Sequence, residues 1–167
     1  FGAYRVIDYL VGASTTVGEG VERFARFFRL VAEAVRLTIE REGTSYALCF
    51  DMADGGPPPP VYVDYVFAAL VGRIRMRIHP PLQVERVELR RAAPAHPTPY
   101  TERFRAPVRF ACERDRLWFT ASEWEAVITG SDAELARVLE EHARILAERL
   151  PSTSTGFAAS VQSSIIA

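Results

Sequence analysis

The stretch Phe104-Arg-Ala-Pro-Val-Arg-Phe-Ala-Cys-Glu-Arg-Asp-Arg-Leu-Trp-Phe119 decides how the chain folds. Pro107 interrupts any regular element, because proline fixes φ and donates no backbone hydrogen bond. Val108 and Phe110 then fall two residues apart, as do Leu117 and Phe119, so each pair shares one side of a strand. Between the pairs, Cys112 to Arg116 is polar and charged, and Asp115 tolerates turn geometry. The spacing predicts a β-hairpin with one buried face and with Arg109 and Arg116 turned to solvent.

Further strands lie upstream. Val35-Arg-Leu-Thr-Ile-Glu40 places Val35, Leu37 and Ile39 on one face, and Tyr46 to Met52 alternates again. Arg41-Glu-Gly-Thr44 between them supplies a turn, so the two runs read as an antiparallel hairpin closed across Gly43. Gln83 to Leu89 reads as a third strand, with Val87 and Leu89 on one face. With the two arms of 104–119 this makes a mixed or antiparallel sheet of about five strands.

The helices announce themselves by period and by caps. Phe1 to Ala13 carries Tyr4, Ile7, Leu10 and Val11 at helical spacing. Thr16-Val-Gly-Glu19 is a capping box, in which the Thr hydroxyl takes the N3 amide and Glu19 reaches back to the cap amide. Behind it Val17, Val21, Phe24, Phe27, Phe28 and Val31 recur at three- and four-residue steps, while Arg23, Arg26 and Arg29 read as a solvated face. Ala53 to Pro60 is too rich in proline for helix or central strand and reads as a stiff connector. Val63 to Ile78 is a second amphipathic helix, buried through Val63, Val66, Phe67, Leu70 and Ile74, with Arg73, Arg75 and Arg77 complementing its dipole near the C-terminus. Arg90 to Pro99 reads as a loop, Tyr100 to Arg105 as a helical turn, and Thr120 to Gly130 as irregular.

Ser131-Asp-Ala-Glu134 is a second capping box, opening a helix from Asp132 to Leu150. Its apolar stripe of Leu135, Val138, Leu139, His142, Leu146 and Leu150 can bury against its own domain or against a twin helix in a dimer. Pro151 ends it, and Ser152 to Gly156 reads as a linker before a further helical pattern from Phe157 to Ala167. The fold class is therefore α+β, divided into a domain over 1–150 and a second segment over 151–167.

Composition narrows the function. At 167 residues, with 20 basic against 21 acidic side chains, the chain is a single-domain length without the positive field that nucleic-acid binding needs. No apolar run reaches the roughly 20 residues of a membrane span. Cys49 and Cys112 lack a paired motif and suggest reduced thiols of a cytoplasmic protein. The chain opens at Phe1, inside an apolar helical pattern, and so reads as part of a longer polypeptide. His79, His96 and His142 lie far apart, and no metal-ligand spacing, nucleophile elbow or phosphate loop occurs, so neither catalytic nor metal residues nor a cofactor are assigned.

Several motifs in register point to a family. Phe104-x-Ala-Pro-Val-Arg-Phe110 followed by Leu117-Trp-Phe119 resembles the end of the arabinose-binding-type regulatory domain of AraC-family transcription regulators. Ser14-Thr-Thr-Val-Gly-Glu-Gly-Val and Phe24-Ala-Arg-Phe-Phe-Arg-Leu30 are similar to that domain's Ser-Pro-Thr-Leu-Gly-Glu-Ala-Leu and Arg-Tyr-Phe-Arg-Leu-Leu region. Gly130-Ser-Asp-Ala-Glu-Leu135 is similar to its Gly-Ala-Asp-Pro-Glu-Leu helix start. The chain departs from the pattern at Arg105, where Gly is common, at Thr15, where Pro is, and at Asp115, which replaces a frequent Asn.

The resemblance implies a cytoplasmic regulator whose upstream domain binds a small-molecule effector and often dimerises. DNA and RNA polymerase would be met by the full-length protein rather than by these residues, through helix-turn-helix units of which Phe157 to Ala167 would be the beginning. The effector pocket is expected between the sheet and its covering helices. Tyr46, Phe50, Phe67, Phe110 and Trp118 are its candidate walls, and Arg29, Arg36 or Arg73 the candidates for an anionic group. For each aromatic the simpler reading is core packing, since one face of every strand must be buried anyway. Leu135, Val138, Leu139, His142 and Leu146 are the candidate dimer residues. Two other classes stay open: a small α+β enzyme using Asp51 or His79, and a ligand-free interaction module.

Overall fold

In the computed structural model of the chain, residues 5–150 are described. The elements run α1 (Arg5–Ala13), α2 (Val17–Phe27), a 3-10 turn (Phe28–Leu30), β1 (Val35–Glu42), β2 (Ser45–Met52), α3 (Pro60–Arg75), β3 (Arg86–Glu88), α4 (Thr98–Phe104), β4 (Val108–Arg109), β5 (Asp115–Thr120), α5 (Ala121–Trp124) and α6 (Ala133–Glu148). The α+β class stands: one five-stranded, mostly antiparallel sheet is packed with helices. The linker and helical pattern expected over 151–167 lie outside the described residues.

The first hairpin forms as its sequence requires. β1 and β2 pair antiparallel from Val35↔Met52 to Glu42↔Ser45. Gly43 closes the turn at φ 59, a conformation that glycine adopts without steric cost.

The hairpin expected over 104–119 does not form. The strand order is β1-β2-β5-β3-β4, so β3 lies between the two arms. β5 pairs antiparallel with both β2 and β3, whereas β4 pairs parallel with β3 through Val87↔Val108 and Glu88↔Arg109. Inserting β3 gives both arms a ladder partner and buries Val87 and Leu89 beside Leu117 and Phe119. With β4 on one side and β5 on the other, β3 has both of its backbone edges paired rather than one left open.

Smaller differences are local. α3 begins at Pro60 rather than Val63, because proline at a first helical position forfeits only an amide that would be unpaired anyway. Thr16 Oγ1 accepts from Glu19 N at 3.2 Å as expected, but the Glu19 carboxylate reaches Thr15 N rather than the cap amide. The cap of α6 is Asp132, which accepts from Leu135 N, and not Ser131. Within 120–130, read as irregular, Thr120 Oγ1 accepts from Glu123 N and starts the short helix α5.

The core lies on one face of the sheet. Leu37, Leu48, Phe50, Val87, Leu117 and Phe119 meet α2 and α3 there through Phe24, Phe28, Val63, Phe67 and Leu70. α6 sits further out, against α1, α2 and the 3-10 turn. Its seat is made of small residues, Ala136, Ala143 and Ala147, which let the helix approach closely. Glu140 fastens it by accepting from both Arg23 and Arg26 of α2.

Candidate functional site

The predicted pocket walls are scattered by strand parity and by packing. Phe50 and Phe67 face each other edge to face, with centroids 6.2 Å apart, and Tyr62 closes on Phe50 in the same manner. Both phenylalanines are fully buried, so they fill the layer between sheet and helix rather than line a space in it. Tyr46 stacks on Trp124 with centroids 4.5 Å apart and planes 5° from parallel. Phe110 meets the Tyr100 ring edge-on, and Arg91 lies over both rings.

Trp118 is on the opposite face. It alternates with Leu117 and Phe119 along β5 and joins Ala47 and Cys49 in a small separate cluster on the sheet's outer side. It is only 1% exposed there because charged side chains cover it. The Arg86 guanidinium lies 3.8 Å from the ring centroid and that of Arg116 5.3 Å. Glu88 accepts from Trp118 Nε1 at 3.0 Å and from Arg86 Nε at 3.2 Å, and forms an ion pair with Arg116 at 2.7 Å. Arg116, expected to face solvent, is therefore a member of this network, whereas Arg109 is largely exposed.

The electrostatics of that face follow from its pairing. Burial pushes the Glu88 carboxyl upward, but the hydrogen bonds from Trp118 and Arg86 and the nearby charges of Arg116 and Arg86 outweigh it and hold the group below the usual glutamate value. Arg114 bridges Glu40 and Asp51 and is held above the ordinary arginine value chiefly by its hydrogen bond to Asp51. Burial pushes the Cys49 thiol up to about 12, with Glu40 adding to the rise. Cys49 and Cys112 are both free thiols.

The three arginines proposed for an anion do not converge. Arg36 is exposed on the edge strand β1. Arg73 on α3 pairs with Asp8 of α1 at 2.9 Å. Arg29 stands apart from both, in the 3-10 turn, and donates to the carbonyl of Ala147 in α6. That position borders a cleft of about 730 Å³ between α2, the turn and α6. Phe27 and Ala147 give the cleft an apolar surface, Arg26 and Arg29 line one side, and Arg137 and Arg144 line the other. Glu140, Glu141 and Glu148 share the α6 side. A smaller cavity of about 380 Å³ lies past the end of α3, beside Met76, Arg77, His79 and Thr129. Among the described residues, no group of His, Cys, Asp and Glu side chains could hold a metal ion.

The candidate dimer residues divide between two environments. Leu135 and Val138 are 45% and 50% exposed, and His142 is exposed as well. Leu139 packs against the core and Leu146 is half-buried. Ile145, 41% exposed, extends the open stripe and was missed from sequence. The series 135, 138, 142, 145 has the alternating three- and four-residue steps of a helix seam, a signal already present in the chain.

Comparison with known proteins assigns the family. Residues 1–127 match the family described as "Arabinose-binding domain of AraC transcription regulator, N-term". The chain belongs to this family. The AraC-type domain is a regulatory, effector-binding unit of transcription regulators, which is the coarse function of this chain. α6 lies beyond the matched residues. The chain is similar in fold to the crystal structure of transcriptional regulator CdpR from Pseudomonas aeruginosa, with a TM-score of 0.61 at 16% identity. The similarity covers 89% of this chain and 56% of that one, so the AraC-type chain spans little more than half the length of its structural neighbour. No curated protein matches it by sequence. Among the described residues, no helix is long and apolar enough to cross a membrane.

Proposed function

We propose that this chain is the ligand-sensing and dimerising part of an AraC-type DNA-binding regulator in the cytoplasm, and that an effector shifts promoter binding or activation by a downstream helix-turn-helix half. Residues 1–150 form the regulatory domain in this reading, and 151–167 lead into the DNA-binding half. The observation that carries it is the division of α6 into two faces. One face of small residues is seated on α1 and α2, while Leu135, Val138 and Ile145 stand open on the other. A helix with an apolar stripe on both sides suits a subunit contact, and a two-fold pair would cover the same stripe on both copies.

The mechanism is a population shift. An effector that binds one arrangement of α6 against the domain more tightly than another biases how the two copies, and the DNA-binding halves they carry, are disposed. RNA polymerase and DNA would be contacted by those downstream halves.

Native mass spectrometry and sedimentation velocity on the purified chain test both parts. The expected result is a dimer carrying a small molecule in stoichiometric amount. A monomer at high protein concentration that neither retains nor acquires a metabolite would overturn the reading.

A further inference from the structure

We infer that the cleft between α2, the 3-10 turn and α6 binds a small monocarboxylate with an apolar body. The inference rests on the sensing role proposed above and gives it a ligand class and a location.

The charges on the cleft are not all balanced. Glu140 is engaged by Arg23 and Arg26. Arg137 is paired with Glu134 at 2.7 Å, and Glu141 adds to the negative charge around it. Arg29 and Arg144 have no carboxylate partner among the described residues, although both line the cleft, and Glu141 and Glu148 on the α6 side are likewise without an ion pair there. Arg29 is anchored by the Ala147 carbonyl in the last turn of α6, which uses one of the five N–H donors of its guanidinium. The remaining donors suit a carboxylate, whose two oxygens match the guanidinium fork.

The rest of the lining selects among anions. Phe27 and Ala147 offer apolar surface for a hydrocarbon or aromatic body. Glu141 and Glu148 line the same cleft without an ion pair among the described residues, so a phosphate dianion would meet about twice the repulsion that a monocarboxylate meets. At about 730 Å³ the cleft accommodates a small organic acid. A carboxylate held by Arg29 on the turn and Arg144 on α6 bridges the body of the domain and the helix with the open stripe. Occupancy can thereby bias how α6 is seated.

Titration calorimetry on the full chain with benzoate, benzamide and inorganic phosphate tests this. Benzoate is expected to bind at least ~10-fold more tightly than its neutral isostere or phosphate, as a charge-assisted contact implies. Arg29→Gln and Arg144→Gln should each weaken benzoate binding roughly tenfold, and Arg144→Gln should do so with an unchanged melting temperature. Among the described residues Arg144 has no ion pair or hydrogen bond to lose, which keeps its variant interpretable. Equal binding of benzamide, or full benzoate affinity in both variants, overturns the inference. A co-purified effector whose affinity neither variant alters would also overturn it while leaving the sensing role intact. Benzoate binding as expected, with no effect on oligomeric state or promoter occupancy, would support the cleft and count against the sensing role instead.

Discussion

Trp118 donates its indole Nε1–H to Glu88 Oε2 at 3.0 Å on the outer face of the sheet, joining the centre of β5 to β3. Two guanidinium groups, of Arg86 and Arg116, pack over the same indole and pair with the same carboxylate. A tryptophan on a polar face is thus buried without an apolar layer above it. The arginines supply both the cover and the counter-charge that lets Glu88 stay ionised at 6% exposure.

This network gives stability a defined pH dependence. The folded-state pKa of Glu88 lies below its ordinary value of 4.5, so its contribution is fully present above that pH and is lost as the pH falls through the folded value. Glu88→Gln keeps an acceptor but removes the carboxylate that Arg86 and Arg116 share, leaving Arg86 with Glu85 and Arg116 with the more distant Glu40. Urea denaturation at pH 7 should show a loss of about 2 kcal/mol. The difference from the parent protein should shrink when both are measured near pH 3.

A steric constraint runs from α2 to α5. A Cβ on Gly18 would lie 2.2 Å from Trp124 Nε1, and Trp124 is itself stacked on Tyr46. Gly18→Ala should therefore destabilise by about 2 kcal/mol, as overpacking of a filled site does. The melting temperature and the near-ultraviolet circular dichroism of the tryptophans both report it.

Arg105 ends α4 in the left-handed region, at φ 52 and ψ 41. Its charge also opposes Arg75, whose guanidinium donates to the carbonyls of Arg103 and Phe104. Arg105→Gly removes both the backbone strain and the repulsion. It should stabilise the chain by about 1 kcal/mol, read as a rise in melting temperature.

The two faces of α6 separate by mutation. Leu135→Glu with Val138→Glu should convert the proposed dimer to a monomer in sedimentation velocity, with thermal stability of the monomer unchanged. Ala143→Leu on the opposite face should instead cost about 1–3 kcal/mol by overpacking the seat on the domain. A dimer that survives the double substitution would remove α6 as its interface.

Much of this architecture was legible in the chain because its causes are local. The cap at Thr16 and the apolar steps of α2 and α3 are short-range patterns, and so is the β1–β2 turn at Gly43; the box read from Ser131 lies within one residue of the true cap of α6, Asp132. The α+β class and the family motifs follow from the same elements in order. Of the candidate site, only Arg29 falls on the cleft. The other arginines and the aromatics were grouped by residue type, which carries no information about which element faces which.

The opening stretch 104–119 shows where local pattern stops. Its alternation correctly assigned Leu117 and Phe119 to one face, whereas Trp118, expected as a pocket wall on that side, lies on the other. It could not choose the partner of each strand, since a hairpin and a split pair bury the same residues of the stretch. Only the tertiary structure decided for β3 between them, because Val87 and Leu89 lie far upstream and their burial rewards a non-local pairing. The alanine seat of α6 was decided in the same way. Close approach to α1 and α2 needs small side chains, and the periodicity of the larger residues of α6 left open whether Leu135 and Val138 bury against the domain or stay outside it.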